Sequence, residues 1–218
     1  MEPGAAELEE QHKSEDERQL EVERQPAEPE PAEAAAVWTA CHPDVDLTEG
    51  RTLATNSSPD VGYRSAVCGE AAHAMGGGGG GRRLYYAEFA VVKKTGDIAV
   101  GVVPADAAGR APQEMDKEWC NHPAAHMWSS GSGYHRQGGS SSDWPGSARY
   151  GRGDTVGLLL DVEGGSLTAF KNGARLGVVV PNERVPSLGP GPFHWAVDLQ
   201  CKGGSVRIDA TKPPPAAE

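Results

Sequence analysis

The chain has 218 residues, a formal net charge of −11, 38% hydrophobic residues and 29 glycines. Its longest apolar runs, such as residues 156 to 162, fall far short of the ~20 residues a membrane helix needs, and its acidic N-terminus is unlike a basic segment followed by an apolar one, which excludes a membrane span and a secretory signal. Wholesale disorder is excluded by an apolar content ordinary for a globular chain.

The charge is concentrated at one end. Residues 1 to 36 hold 12 Asp and Glu against 3 Lys and Arg, a net of −9, and leave −2 for the remaining 182 residues. An acidic balance with no basic stripe argues against nucleic acid, because phosphate-backbone affinity rests on basic side chains that displace counterions. The same segment has no aromatic residue, and Leu8, Leu20 and Val22 are its only sizeable aliphatics. It cannot bury enough surface to offset its ordering entropy, so residues 1 to 36 are expected to be a disordered acidic tail, with transient helix around residues 7 to 24. The folded domain is expected over residues 37 to 210, starting near Trp38, followed by a Pro-rich tail over residues 211 to 218.

From residue 51 to residue 208 no stretch keeps apolar residues at helical spacing for three turns, while Gly and Pro recur throughout, the pattern of an all-β chain. A first strand is read over residues 51 to 55. The glycine run 76 to 81 is expected to be a loop, since poly-glycine gains nothing from packing. Tyr85, Ala87, Phe89 and Val91 alternate with Tyr86, Glu88, Ala90 and Val92, giving a strand with at least one buried face. Residues 98 to 103 form another strand, set off by Gly96 and Asp97. Residues 155 to 162 are almost wholly apolar and suit a strand covered on both faces. Asn172-Gly173 stands between two β-prone runs and predicts a hairpin with two positive-φ turn positions. Residues 193 to 200 alternate again, and Val206 and Ile208 make a short last strand after a turn at Gly203-Gly204. About ten short strands point to an antiparallel sandwich.

The segments YYAEFAVV, GDIAVGVV, YGRGDTVGLLLDVEGGSLTAFKNGARLGVVV and WAVDLQCKGGSVRI follow one another in the order and spacing of a SPRY domain, which the chain resembles from about Trp38 to Ile208. Most specific is the central stretch, in which Asp161 ends a strand, Gly164-Gly165 turns, and a strand leads into Asn172-Gly173. The sequence departs from the family at Ala169, where an aromatic core residue is usual, and over residues 127 to 139, which match loosely. The resemblance implies an antiparallel β-sandwich of concanavalin A-like architecture that binds peptide segments or protein surfaces through loops at one rim. It also implies which residues line that rim here: Asn56, Ser57, Ser58 and Pro59, then Tyr134 and His135, then Gln200, Cys201, Lys202 and Gly203. Tyr134 is the expected anchor, because a tyrosine offers apolar area and a polar handle at small entropic cost.

Other constellations are weaker. Cys120, His122 and His126 are of zinc-ligand type, but Pro123 interrupts the helical spacing and no fourth ligand is evident, so no metal is expected. Cys41, Cys68, Cys120 and Cys201 form no CxxC pair and read as free thiols of a reducing compartment. Arg152-Gly153-Asp154 spells an integrin-type tripeptide, and Asn56-Ser57-Ser58 a glycosylation sequon; without export both are coincidences. Gly131-Ser132-Gly133 is no nucleophile elbow. Asp161 is expected to accept hydrogen bonds in the turn at Gly164-Gly165, and Glu88 to sit on a polar face. Trp38 and Trp195 are assigned to the core, while Trp119, Trp128 and Trp144 are left open between the core and, for the first two, the loop rim or, for Trp144 beside Pro145, an exposed position. The sequence thus reads as an intracellular, non-catalytic adaptor or targeting module without a cofactor. It would bind a protein or peptide and neither nucleic acid nor membrane, as a monomeric domain alone or within a larger complex. A lectin-like carbohydrate binder is the alternative, and a small metal-dependent hydrolase a weaker one.

Overall fold

A computed structural model describes residues 36–68, 84–105, 118–180 and 193–215. The expectations for residues 1 to 35, and for the glycine run 76 to 81, lie outside these. The described residues form fourteen strands in two antiparallel seven-stranded sheets and a single 3₁₀ turn, Trp119–Asn121. In spatial order the first sheet holds β1 (Ala40–Cys41), β4 (Arg64–Val67), β13 (Phe193–Leu199), β6 (Ile98–Pro104), β7 (His126–Ser129), β8 (His135–Gln137) and β9 (Ser140–Ser142). The second holds β12 (Ala174–Val180), β11 (Ser166–Lys171), β10 (Thr155–Asp161), β5 (Leu84–Lys93), β14 (Ser205–Asp209), β3 (Leu53–Asn56) and β2 (Val45–Thr48). No described helix is long and apolar enough to cross a membrane.

The period-two pattern of each strand decides what it buries. Ala87, Phe89 and Val91 of β5, Val156, Leu158 and Leu160 of β10, and Trp195, Val197 and Leu199 of β13 all enter one core between the sheets. Phe89 stands at its centre, with its ring 6.3 Å from Trp38 and 6.0 Å edge-on from Trp195. Ala169 also faces this core, fully buried, while Phe170 takes the opposite face and meets Tyr86 edge-on at 5.8 Å. The turn expected at Gly164-Gly165 is closed by Gly164 N–H donating to Asp161 Oδ1 at 2.7 Å. Asn172 and Gly173 have φ of 52° and 81°, the two left-handed positions the hairpin requires.

Strand content exceeds the sequence estimate because β1, β8 and β9 are two- or three-residue strands whose pairing is set by neighbours and not by their own composition. The three tryptophans that the sequence left open are placed by the structure. Trp119, Trp128 and Trp144 are all buried. Trp128 belongs to the central core and donates to Ala148 O, and Trp144 stands edge-on to it at 5.6 Å while donating to Gly133 O. The indole N–H groups of Trp128 and Trp144 are thus satisfied by loop carbonyls, which lets a polar loop bury a ring.

Trp119 reveals a second, smaller core on the outer face of the first sheet. Val67, Ala99, Val103, Met127 and Ala196 point outward there and are covered by Trp119, Cys120 and Ala125. The cover is fastened by Asp198, fully buried on the outward side of β13. Its carboxylate accepts from Ser65 Oγ at 2.6 Å and from the Cys120 N–H at 3.1 Å. Burial pushes the Asp198 pKa up to about 6, although the hydrogen bonds from Ser65 and the backbone of Cys120 and Trp119 favour the ionised form. Burial and the adjacent Asp198 likewise push the Cys120 thiol up, so it stays protonated.

Two expectations follow from this packing. The Gly173→Ala variant should lose about 1 kcal/mol in urea melts, a purely conformational cost since nothing lies within 4 Å of the added methyl. Gly101→Ala should lose more, because its methyl would fall on the His126 carbonyl oxygen and the Met127 side chain. Asp198 sets a pH dependence. Its folded pKa is raised above the ordinary 3.8, so between about pH 4 and pH 6 the native state holds a proton that the unfolded chain has lost, and stability should fall as pH rises through that window. Melts of Asp198→Asn across the same window should lack that slope; an unchanged slope would assign it to another group.

Candidate functional site

One end of the sandwich gathers the β3–β4, β5–β6, β7–β8 and β13–β14 loops, together with the turn before β10 and the Asn172-Gly173 hairpin. The first four are tied by Asp97, which precedes β6. Its Oδ2 accepts from Tyr63 Oη at 3.0 Å and from Ser129 Oγ at 2.8 Å; its Oδ1 accepts from Ser130 Oγ at 2.9 Å and from the Gly131 N–H at 2.7 Å. The Asp97 N–H donates to Gln200 Oε1, and its carbonyl accepts from the Gln200 N–H. Arg136 completes the cluster: Nη1 donates to Tyr63 Oη at 3.1 Å and lies 3.9 Å from Asp97 Oδ2, while Nη2 lies 3.7 Å from Glu118. Burial and the facing Asp97 carboxylate push the Tyr63 phenol well up, so it remains a donor.

The three stretches expected to line the rim are brought to this end, with unequal roles. Asn56 is the last residue of β3 and fully buried; its side-chain N–H donates to Leu199 O, and its Oδ1 accepts from the Ser58 N–H. Gly203 N–H donates to Asn56 O, and Asn56 N–H to Gly204 O, joining the first and third stretches directly. Asn56 is therefore a strut, and its buried amide is closed to glycosylation in the folded chain. Ser58 is buried too, with its hydroxyl accepting from Arg64, whereas Ser57 is half-buried and Pro59 exposed. Asp44 is held below the usual carboxylate range by hydrogen bonds from Ser58 and Arg64.

Tyr134 is exposed, at 41% of its full surface, on the loop between β7 and β8. His135, next to it, points the other way: it is 5% exposed and its Nε2 lies 3.1 Å from His126 Nδ1. His135 opens β8 with its side chain turned inward, so of the two only Tyr134 is open to a ligand. In the third stretch Lys202 is exposed, Cys201 and Gly203 half-buried, and Gln200 engaged with Asp97. Exposed at the same end are Val61, at 82%, and the charged residues Asp60, Lys93 and Arg152. Tyr63, Asp97, Arg136 and Val61 were missed by sequence reasoning; the Gly96-Asp97 pair was visible only as punctuation before a strand.

The remaining motifs resolve individually. Cys120 is buried beside Asp198, His126 faces His135 in the interior, and His122 Nδ1 accepts from the Ala124 N–H. No three metal-ligating side chains converge among the described residues. All four cysteines are free thiols. Asp154 of the Arg152-Gly153-Asp154 turn is occupied: burial opposes its charge, but hydrogen bonds from Asn172, Gly151 N–H and Lys171 hold its carboxyl below the usual range. Glu88 accepts from Tyr86 Oη and pairs with Lys212 at 2.7 Å.

No protein-family model matches the sequence, and no curated protein matches it. Solved structures do resemble it. A human SPRY domain aligns with a TM-score of 0.56 at 17% identity, covering 78% of this chain and 97% of that one. The SPRY domain of human HERC1 aligns with a TM-score of 0.58 at 15% identity, covering 78% of this chain and 94% of that one. The fold is thus that of a SPRY domain.

Asp97 gives the site its test. Asp97→Ala strands the Tyr63, Ser129, Ser130 and Gly131 donors and should cost about 2–3 kcal/mol in urea melts. Hydrogen exchange should quicken at Gly131 and Gln200 before it does in the β5 and β10 amides; uniform quickening would place Asp97 among general core contributors.

Proposed function

With a SPRY fold as scaffold, we propose that this chain is a non-catalytic protein-interaction module in which residues 37 to 210 capture a segment of a partner protein across the loop rim. The observation that carries this reading is the combination of a rigid polar floor with an exposed apolar lip. Asp97, Tyr63, Gln200 and Arg136 fix the loops by hydrogen bonds, so little loop entropy remains to be lost on binding. Val61 and Tyr134 stand exposed above that floor.

The exposed charges of the rim suggest the partner's chemistry. Lys93, Arg152 and Lys202 are open to solvent, against one exposed carboxylate, Asp60. A neutral-to-acidic extended segment fits that balance, with Tyr134 as anchor and loop backbone supplying hydrogen bonds. The contact residues of the proposal are Ser57, Pro59, Tyr134, Cys201, Lys202 and Gly203, joined by Val61; Asn56, Ser58, His135 and Gln200 hold the rim in shape. The module acts as an adaptor or targeting unit, and the acidic residues 1 to 36 provide solubility or a second contact for a basic surface.

The test begins with proximity labelling by the whole chain and by residues 37 to 212, followed by affinity measurement on a recovered partner. Tyr134→Ala should weaken binding about tenfold or more, as loss of an aromatic anchor does, without lowering the melting temperature. Unchanged affinity would remove the rim from the reading.

A further inference from the structure

The β8–β9 hairpin carries a feature that rim recognition does not use. Its two-residue turn is Gly138-Gly139, with φ of 57° and 77°, and the register it fixes sets His135 opposite Ser142, Arg136 opposite Ser141 and Gln137 opposite Ser140. Ser142 faces inward, where its hydroxyl lies 3.4 Å from His135 Nδ1. Alternation therefore places the Ser141 side chain on the outer face of the first sheet, the face of Arg136. Ser141 is exposed, and β9 ends the order of strands in its sheet, so an enzyme can approach an already extended segment.

Arg136 is incompletely used where it stands. Among the described residues its one hydrogen bond of ordinary length runs to Tyr63 Oη at 3.1 Å; its contacts with Asp97 and Glu118, at 3.9 and 3.7 Å, exceed hydrogen-bond length. Its Nε is buried without a hydrogen-bond partner among the described residues. A guanidinium offers five donors in a planar fork suited to phosphate oxygens; this one is turned toward Tyr63, Asp97 and Glu118, and its residue stands directly across the ladder from an exposed hydroxyl, to which the fork can swing.

We propose that Ser141 is a phosphoacceptor and that Arg136 receives its phosphate. The donor is ATP and the catalyst a protein serine kinase. The Ser141 Oγ–P bond forms as the bond from the γ-phosphorus to the β–γ bridging oxygen breaks, the hydroxyl proton passes to the kinase's base, and ADP leaves. The product places nearly two negative charges beside Arg136. They draw Nε and one Nη into charge-assisted hydrogen bonds and repel Glu118 and Asp97, the carboxylates already near that guanidinium. The Glu118 contact then breaks.

Phosphoserine encoded at position 141 of the full chain, with position 140 as control, tests the receiver by phosphorus NMR titration. Phosphoserine 140 should titrate near the free value of about 6. Phosphoserine 141 should titrate about one unit lower because of the facing cation, remain low with Arg136→Lys and return toward 6 with Arg136→Gln. Equal titration at the two positions, a comparison that needs no Arg136 variant, overturns the assignment, as does a low value that survives Arg136→Gln. Acceptor competence is read by incubating the unmodified chain with ATP and basic-, proline- and acid-directed serine kinases, then mapping phosphate by mass spectrometry. Phosphate at Ser141 that disappears in Ser141→Ala supports the proposal, and its absence from Ser141 with every kinase overturns it.

Discussion

The rim depends on one carboxylate. Asp97 gathers donors from two separate segments, Tyr63 ahead of β4 and Ser129, Ser130 and Gly131 at the end of β7, and its backbone pairs with Gln200 of a third. No two of these segments are close in sequence, so no local propensity holds them together. An ionised acceptor satisfied from several directions is among the stronger non-covalent ties available, and removing it leaves several donors unpaired at once. Loops held this way can present Tyr134 and Val61 in fixed positions, which is what inexpensive recognition of a flexible segment requires.

Another carboxylate, fully buried, solves a different problem with a different balance. Asp198 anchors the Trp119–Asn121 turn over the outer face of the first sheet, where Met127, Val103 and Ala196 would otherwise meet water. Asp198 is held by neutral donors in full burial, so burial dominates and its acidity falls. The first sheet is thus covered on both faces over much of its width. Toward its far end the cover gives way to Arg136 and the exposed β9 strand, where the unspent guanidinium and Ser141 lie.

Much of the scaffold was legible in the chain itself. The alternation of β5 and β13, the apolar run of β10, the Asp161 turn and the Asn172-Gly173 hairpin are signals carried by residues adjacent in sequence, and each appears where expected. The candidate site was legible only in part. Tyr134 is exposed as expected, but Asn56, Ser58 and His135 are buried, because hydrogen bonds to Leu199, Arg64 and the His126 ring turn polar side chains inward. Trp119, Trp128 and Trp144 look like loop residues by their neighbours, yet loop carbonyls and a second core enclose them.

The sequence by itself determined the strand-rich sandwich, its principal turns and the uneven charge that sets residues 1 to 36 apart from the rest. Those properties are written in period, turn chemistry and composition, which act over a few residues at a time. Only the tertiary structure decided which polar groups are struts and which are surface. Asp97 and Ser130, Asp198 and Ser65, and Asn56 and Leu199 are separated by 33, 133 and 143 residues, and a hydrogen bond across such intervals exists only once the two sheets have been assembled.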